Sequence, residues 1–148
     1  CLACNETRHP AGNRHRMTAV QTVLPELSPE MSAFLVERHH ATLTTLRADG
    51  SPHVVPVGFS YDFESGVVRV ITFANSLKAG HAARGCRAAV SQVDGRRWAT
   101  LEGVARLVDD EPSVALAVAG YAARYRRPSE RSDRVAIEIV VDKVMGRA

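Results

Sequence analysis

The sequence predicts a mainly β fold of the α+β class: an antiparallel barrel or sandwich of six strands with three helices at its margins. Three observations carry this. Val67–Phe73 (VVRVITF) and Val135–Val141 (VAIEIVV) are β-branched runs of strand length. Asp49-Gly50, Ser65-Gly66 and Asp94-Gly95 are tight-turn dipeptides between such runs, and they join neighbours as antiparallel hairpins. Few crossovers remain, so the pattern is not that of a doubly wound sheet.

The chain has 148 residues, enough for one domain with a sizeable core. Hydrophobic residues make up 45% and charged residues 24%, the balance of an ordinary soluble globular protein. No apolar run approaches the ~18 residues of a membrane span. The first 16 residues are polar and contain no apolar signal core, so the expected location is the cytoplasm. Residues 1–24 read as a flexible leader, disordered or non-native, and 25–148 as a single domain. Cys1, Cys4, His9 and His15 have the outline of a metal knuckle. The segment has too few apolar residues to hold a tetrahedral frame, so no metal site is expected. The net charge of +3 is concentrated in the RHPAGNRHR segment and in Arg124–Arg134. No reading motif accompanies it, and no nucleic-acid partner is expected.

The first helix is predicted to start at Ser28-Pro29-Glu30, with Ser as N-cap and Pro at the first helical position. Met31, Phe34 and Leu35 give it an inward face, and its end is expected around Arg38–His40, where basic side chains suit the dipole. Ala41–Arg47 is the first strand. The second, Pro52–Tyr61, contains Pro56 and Gly58, which mark an edge, a bulge, or a place where a ligand meets the backbone. The third strand is Val67–Phe73. A short helix follows Asn75 and ends near Gly85. Arg87–Val93 is the next strand, with Cys86 beside it read as a small buried hydrophobe. Trp98–Val108 is interrupted at Gly103, a predicted bulge. Asp109, Asp110 and Glu111 open the third helix, whose apolar stripe is Val114, Val118, Tyr121, Ala122 and Tyr125. A charged loop around Pro128 leads to the last strand.

The functional signal lies at the second helix start. Lys78 sits in a first turn, where the dipole disfavours a cation unless an anion is present. With Ser76 and free backbone N–H groups it forms a candidate phosphate cradle. The chain shows no Ser-His-Asp set and no metal-ligand cluster, which leaves open a reaction whose chemistry resides in a cofactor.

ATLTTLRADGSPHVVPVGFSYD, VVRVITFANSLKAGHAARG and AAVSQVDGRRWATLEGVARL resemble the split β-barrel flavin/deazaflavin oxidoreductases. This superfamily includes the pyridoxamine 5′-phosphate oxidases. Within it the resemblance is to the actinobacterial branch that uses coenzyme F420, a deazaflavin, to reduce biliverdin. It covers roughly residues 26–145. Leu-x-Thr-Leu-Arg-x-Asp-Gly-x-Pro-His is typical of the superfamily, whereas SQVDGRRW and the lone Ser-x-Lys are more specific to the branch.

The resemblance implies a six-stranded antiparallel split barrel and a homodimer with cofactor in the clefts between subunits. It places His53, Val54, Val55, Pro56 and Val57 along the deazaflavin ring and its ribityl chain, closed on one side by Thr72. Ser76 and Lys78 would hold the phosphate. Gly95, Arg96, Arg97 and Trp98 would line the same cleft or reach that of the opposite subunit. His53 is also a candidate proton donor, or else a packed histidine. Trp98 is either a cleft wall or a core anchor. Arg96 and Arg97 either bind carboxylates or form a charged hairpin tip. Arg124, Arg126 and Arg127 read as solvated loop charges that an anionic ligand could also meet. Glu102 reads as a cross-strand ion-pair partner, and His39 and His40 as helix-end residues.

The sequence departs from the pattern where relatives carry a basic residue two positions before the lysine; here that residue is Ser76. The leader is foreign to the pattern, and the chain stops soon after Val144-Met145-Gly146. The implied activity is hydride transfer from reduced coenzyme F420 to biliverdin or a related tetrapyrrole. The alternatives are an FMN-dependent oxidase and a non-catalytic carrier of deazaflavin, flavin or haem.

Overall fold

The computed structural model describes residues 23–148; the cysteine and histidine positions of the leader lie outside them. The elements are α1 (Pro29–Val36), β1 (Ala41–Leu46), β2 (Pro52–Val57), β3 (Ser60–Asp62), β4 (Val67–Phe73), α2 (Leu77–Ala83), β5 (Cys86–Asp94), β6 (Arg97–Val108), α3 (Glu111–Arg124) and β7 (Arg134–Arg147). The strands form one antiparallel sheet in the order β2-β1-β5-β6-β7-β4-β3. The architecture is the predicted one, a curled antiparallel sheet that does not close fully.

Among the described residues there are seven strands rather than six, because Pro52–Tyr61 is bent into β2 and β3 at Gly58-Phe59. β2 and β3 are the two edges of the sheet, yet only those two residues join them. The bend depends on the missing side chain at Gly58. A Cβ there would lie 2.7 Å from the Tyr121 ring and 3.1 Å from that of Tyr125. Gly58 therefore admits two aromatic rings, one from α3 and one from the residue that caps it.

The bulge at Gly103 is present, as a register shift against β7 between Glu102 and Gly103. A Cβ at Gly103 would fall 2.0 Å from the Val140 carbonyl oxygen, so the ladder tolerates only glycine there. β7 runs to Arg147, six residues past the predicted Val141, and pairs with the first half of β6 down to Trp98.

α1 starts as predicted, with Ser28 Oγ accepting from the Met31 N–H at 3.1 Å, and buries Met31, Phe34 and Leu35. It ends earlier than predicted, at Val36, where Glu37 turns extended. His39 and His40 are not helix-end residues. His39 Nε2 pairs with Glu37 at 2.9 Å, and His40 stacks on Tyr125. The core lies inside the curl and includes Phe34, Leu43, Phe59, Leu101, Ile137 and Ile139, all almost fully buried. Cys86 is half-buried at its margin rather than inside it.

Candidate active site

The curl leaves a seam. β3 pairs with β4 only at Val67, Val68 and Arg69. Beyond Arg69 that edge of β4 has no strand partner among the described residues, and neither does the outer edge of β2. The two free edges diverge into a cleft of about 730 Å³. Pro56, Val57 and Gly58 line one wall, and Ile71, Thr72 and Phe73 the other. Free strand edges offer backbone donors and acceptors to a planar ligand with its own imide-like edge. Pro56 interrupts the donor row, as its missing N–H requires.

Five cations close the cleft: Lys78 from α2, Arg126, Arg127 and Arg131 from the segment after α3, and Arg134 at the start of β7. No carboxylate is among its lining residues. Burial pushes the Lys78 ammonium below the ordinary lysine value, and among the described residues it has no ion-pair partner. A desolvated cation with no counter-charge is stabilised by an anion that supplies one. Arg126 is also in no ion pair among the described residues. Arg127 is 3.6 Å from Glu130, both highly exposed, and Arg131 pairs with Asp133 at 2.8 Å. Phe73 organises the centre, with the Lys78 ammonium 5.9 Å and the Arg131 guanidinium 4.8 Å from its ring centroid. The Ala74 N–H donates to the Asp133 carbonyl at 2.9 Å, which ties the basic segment to the turn before α2.

Of the predicted site residues, Pro56, Val57, Thr72 and Lys78 line this cleft. Ser76 stands behind it. Its hydroxyl caps α2 by accepting from the Ala79 N–H at 3.2 Å and lies 3.0 Å from Thr72 Oγ1. With α2 only seven residues long and its cap side chain engaged, side-chain cations rather than the helix start give the cleft its charge.

Val54 points outward and Val55 packs toward the core. His53 is not at the cleft of its own chain. Its ring meets His81 edge-on at 5.1 Å, and its Nδ1 is buried with no hydrogen-bond partner among the described residues. His81 is itself buried, with Nδ1 2.8 Å from Thr45 Oγ1. Burial, followed by the nearby His53, Arg84 and Arg47, lowers its pKa.

Gly95–Trp98 form a hairpin tip away from the cleft. Arg97 there makes a two-pronged contact with Glu37 at 2.8 and 2.9 Å, pairs with Asp94 and covers the Phe34 ring. Hydrogen bonds from Arg97 and His39 hold the Glu37 carboxyl down at about 2. Trp98 is 38% exposed, so it is not a core anchor. Glu37, His39 and Asp94 cluster at metal-ligand distances, but the Arg97 guanidinium already occupies both carboxylates.

Arg124 corrects the reading of solvated loop charges. It is the last residue of α3 and half-buried. It donates to the carbonyls of Glu37 (2.9 Å) and Phe59 (2.8 Å) and to Gln92 Oε1 (2.7 Å), stacked on the Phe59 ring. Tyr125 adds a 2.6 Å bond to the His39 carbonyl. This knot fixes where α3 ends and therefore where the basic segment begins. Sequence reasoning passed over Arg131, Arg134 and Tyr121 as site residues; the density of arginine around Pro128 was the available signal.

The family model for pyridoxamine 5′-phosphate oxidase matches residues 27–147. An F420H2-dependent biliverdin reductase of Mycobacterium tuberculosis is 48% identical over 130 residues, 88% of this chain and 95% of that protein. Among solved structures, a conserved hypothetical protein of Mycobacterium tuberculosis superposes with a TM-score of 0.69 at 23% identity, covering 83% of this chain and 85% of the other. An F420 reductase superposes with a TM-score of 0.63 at 24% identity, over 77% of this chain and 94% of its own. These two likenesses establish the fold, and the family match over nearly all of the described residues establishes the kinship: the chain belongs to the pyridoxamine 5′-phosphate oxidase family.

Proposed function

We propose that this protein is a coenzyme F420-dependent oxidoreductase that reduces biliverdin or a closely related conjugated tetrapyrrole. The observation that carries the reading is the seam: two free strand edges beside five cations, with no lining carboxylate. That donor set fits a ligand with a flat hydrogen-bonding ring and an anionic chain. The 48% identity to a biliverdin reductase over nearly the whole length supports the same choice.

When bound, the deazaflavin supplies hydride chemistry. The chain's own residues bind and orient. The free edge of β2, with Pro56 and Val57 at the cleft, would run along the ring and its ribityl chain, and Thr72 would bound the opposite wall. Lys78 holds the phosphate, positioned by the Ser76 cap, and the guanidiniums across the cleft hold further carboxylates. Phe73, Tyr121 and Pro128 exclude water around those charges, which strengthens each contact. His53 faces His81 rather than the cleft of its own chain, and the proton that completes reduction would come from solvent or from a nearby side chain.

The working unit is a homodimer. Val54, Val93, Trp98 and Val104 are exposed on one outer face of the β2-β1-β5-β6 sheet, and a second copy covers that face. Gly95, Arg96 and Trp98 of the hairpin tip then close the neighbouring subunit's cleft, while Arg97 stays engaged with Glu37.

The test is an anaerobic assay with reduced coenzyme F420 and biliverdin. The expected result is coupled recovery of the oxidised-cofactor band and loss of the biliverdin band, dependent on protein. Cofactor binding without any change in the biliverdin band would overturn the substrate. Binding of FMN in preference to the deazaflavin would overturn the cofactor.

A further inference from the structure

A second cleft of about 620 Å³ lies on the far side of the basic segment. Val114 and Val118 of α3, both half-buried, line its floor, and its rim carries Arg127, Pro128, Arg131 and Arg134, with Glu130 also present. Arg127, Pro128, Arg131 and Arg134 line both clefts. The segment is thus a low divide whose guanidiniums serve either side.

We infer that this α3-side cleft is the anchoring subsite for the acceptor, in which Arg127, Arg131 and Arg134 hold its carboxylates and Val114, Val118 and Pro128 carry its apolar rim. The inference rests on the proposed reductase activity and adds where the substrate sits.

Charge and polarity together select the occupant. An oligoglutamate tail, the other polycarboxylate available from such a cofactor, is polar along its whole length and gains nothing from two valines. A linear tetrapyrrole has methyl-bearing apolar edges and two propionates, which matches valines beneath guanidiniums. The guanidiniums are available. The Arg131–Asp133 pair is about half exposed on both sides, 44% and 41%, and such a pair yields easily to an incoming carboxylate. The stack on Phe73 keeps the Arg131 guanidinium in place while it does so. Lys78 flanks the same ring, so an acceptor held by Arg131 lies beside the cofactor cleft.

The experiment is equilibrium binding, followed by ligand absorbance and fluorescence and requiring no turnover. The probes are biliverdin, biliverdin dimethyl ester, coenzyme F420 and the same deazaflavin lacking the phosphate and tail. The proteins are wild type, Arg131→Gln and Val118→Glu. Arg131→Gln is expected to weaken biliverdin about tenfold and to leave the dimethyl ester unchanged. Val118→Glu is expected to weaken both tetrapyrroles. Val118→Glu should leave the ratio of affinities for the two deazaflavins unchanged, and Arg131→Gln, at a position that lines both clefts, should lower that ratio less than it weakens biliverdin. If Arg131→Gln instead lowers that ratio and spares biliverdin, the segment holds the cofactor tail and the proposal is wrong. Wild-type affinities throughout would also overturn it. If the wild type reduces biliverdin while the variants bind it normally, the subsite fails and the reductase reading stands. If the wild type neither binds nor reduces biliverdin, both fall.

Discussion

Two stretches of this chain look alike in sequence: the hairpin tip with Arg96-Arg97 and the segment with Arg126-Arg127. Each is an arginine doublet in a connecting loop, and each is a candidate anion contact. The structure separates them. Arg97 is held by Glu37 from one side and Asp94 from the other. Arg126 and Lys78 have no ion-pair partner among the described residues, although they line a cleft. What distinguishes a structural cation from an available one is whether the fold delivers a carboxylate to it. Glu37 reaches Arg97 from a position far away in sequence, so local charge density gives no warning.

Arg124 offers the largest test of that comparison, because it adjoins the available arginines and behaves like neither group. Arg124→Ala strips two backbone carbonyls and the Gln92 amide of their donor in a half-buried setting. Urea denaturation should register a loss of about 3 kcal/mol. A loss of a few tenths would mean that water replaces the guanidinium and that Arg124 is as solvated as its neighbours.

Lys78 should show the opposite profile. Lys78→Ala removes one charge-assisted contact to the phosphate, so cofactor affinity should fall roughly 10- to 100-fold in a deazaflavin fluorescence titration. The thermal midpoint should hold or rise, since an unpartnered, partly desolvated ammonium is removed. Unchanged affinity in a folded variant would remove Lys78 from the site.

Acid titration gives the smallest effect and sharpens the distinction. The Glu37 carboxyl is held at about 2 in the folded chain against an ordinary 4.5. The unfolded chain therefore binds the proton first as pH falls. The clamp's stabilisation is complete above about 4.5 and is lost progressively as pH drops through about 2. Glu37→Gln should flatten that part of the acid-stability profile and leave cofactor affinity at neutral pH alone. If affinity falls as well, the clamp positions a hairpin tip that contributes to a cofactor site.

The hairpins were legible because their signals are local: Asp-Gly and Ser-Gly pairs beside β-branched runs. Ser28, Pro29 and Gly103 were legible for the same reason, each encoding a backbone requirement at its own position. The continuation of β7 through Asp142-Lys143 was not, because both are polar and exposed: Lys143 is held by the ladder to β6, and Asp142, the extra residue at the register shift, by its ion pair with Arg87. The early end of α1 was missed because Glu37 is drawn away by Arg97 and His39. In the site, Lys78 was legible from its helix position. Arg131 and Arg134 were not, since their availability depends on packing between α3, the Phe73 ring and the turn before α2. The direction of the His53 ring was set by His81, on another element altogether.

The two-residue link at Gly58-Phe59 carries a kinetic consequence. One wall of the seam, β2, is joined by that link to β3, and β3 is laddered to β4, which carries the other wall, so the closed end of the slot is fixed by a short covalent link and a three-residue ladder. Such a slot exists before any ligand arrives. Association should then proceed in one step, its rate linear in ligand concentration with no plateau from a slow opening, and differences in affinity should appear in how long the ligand stays.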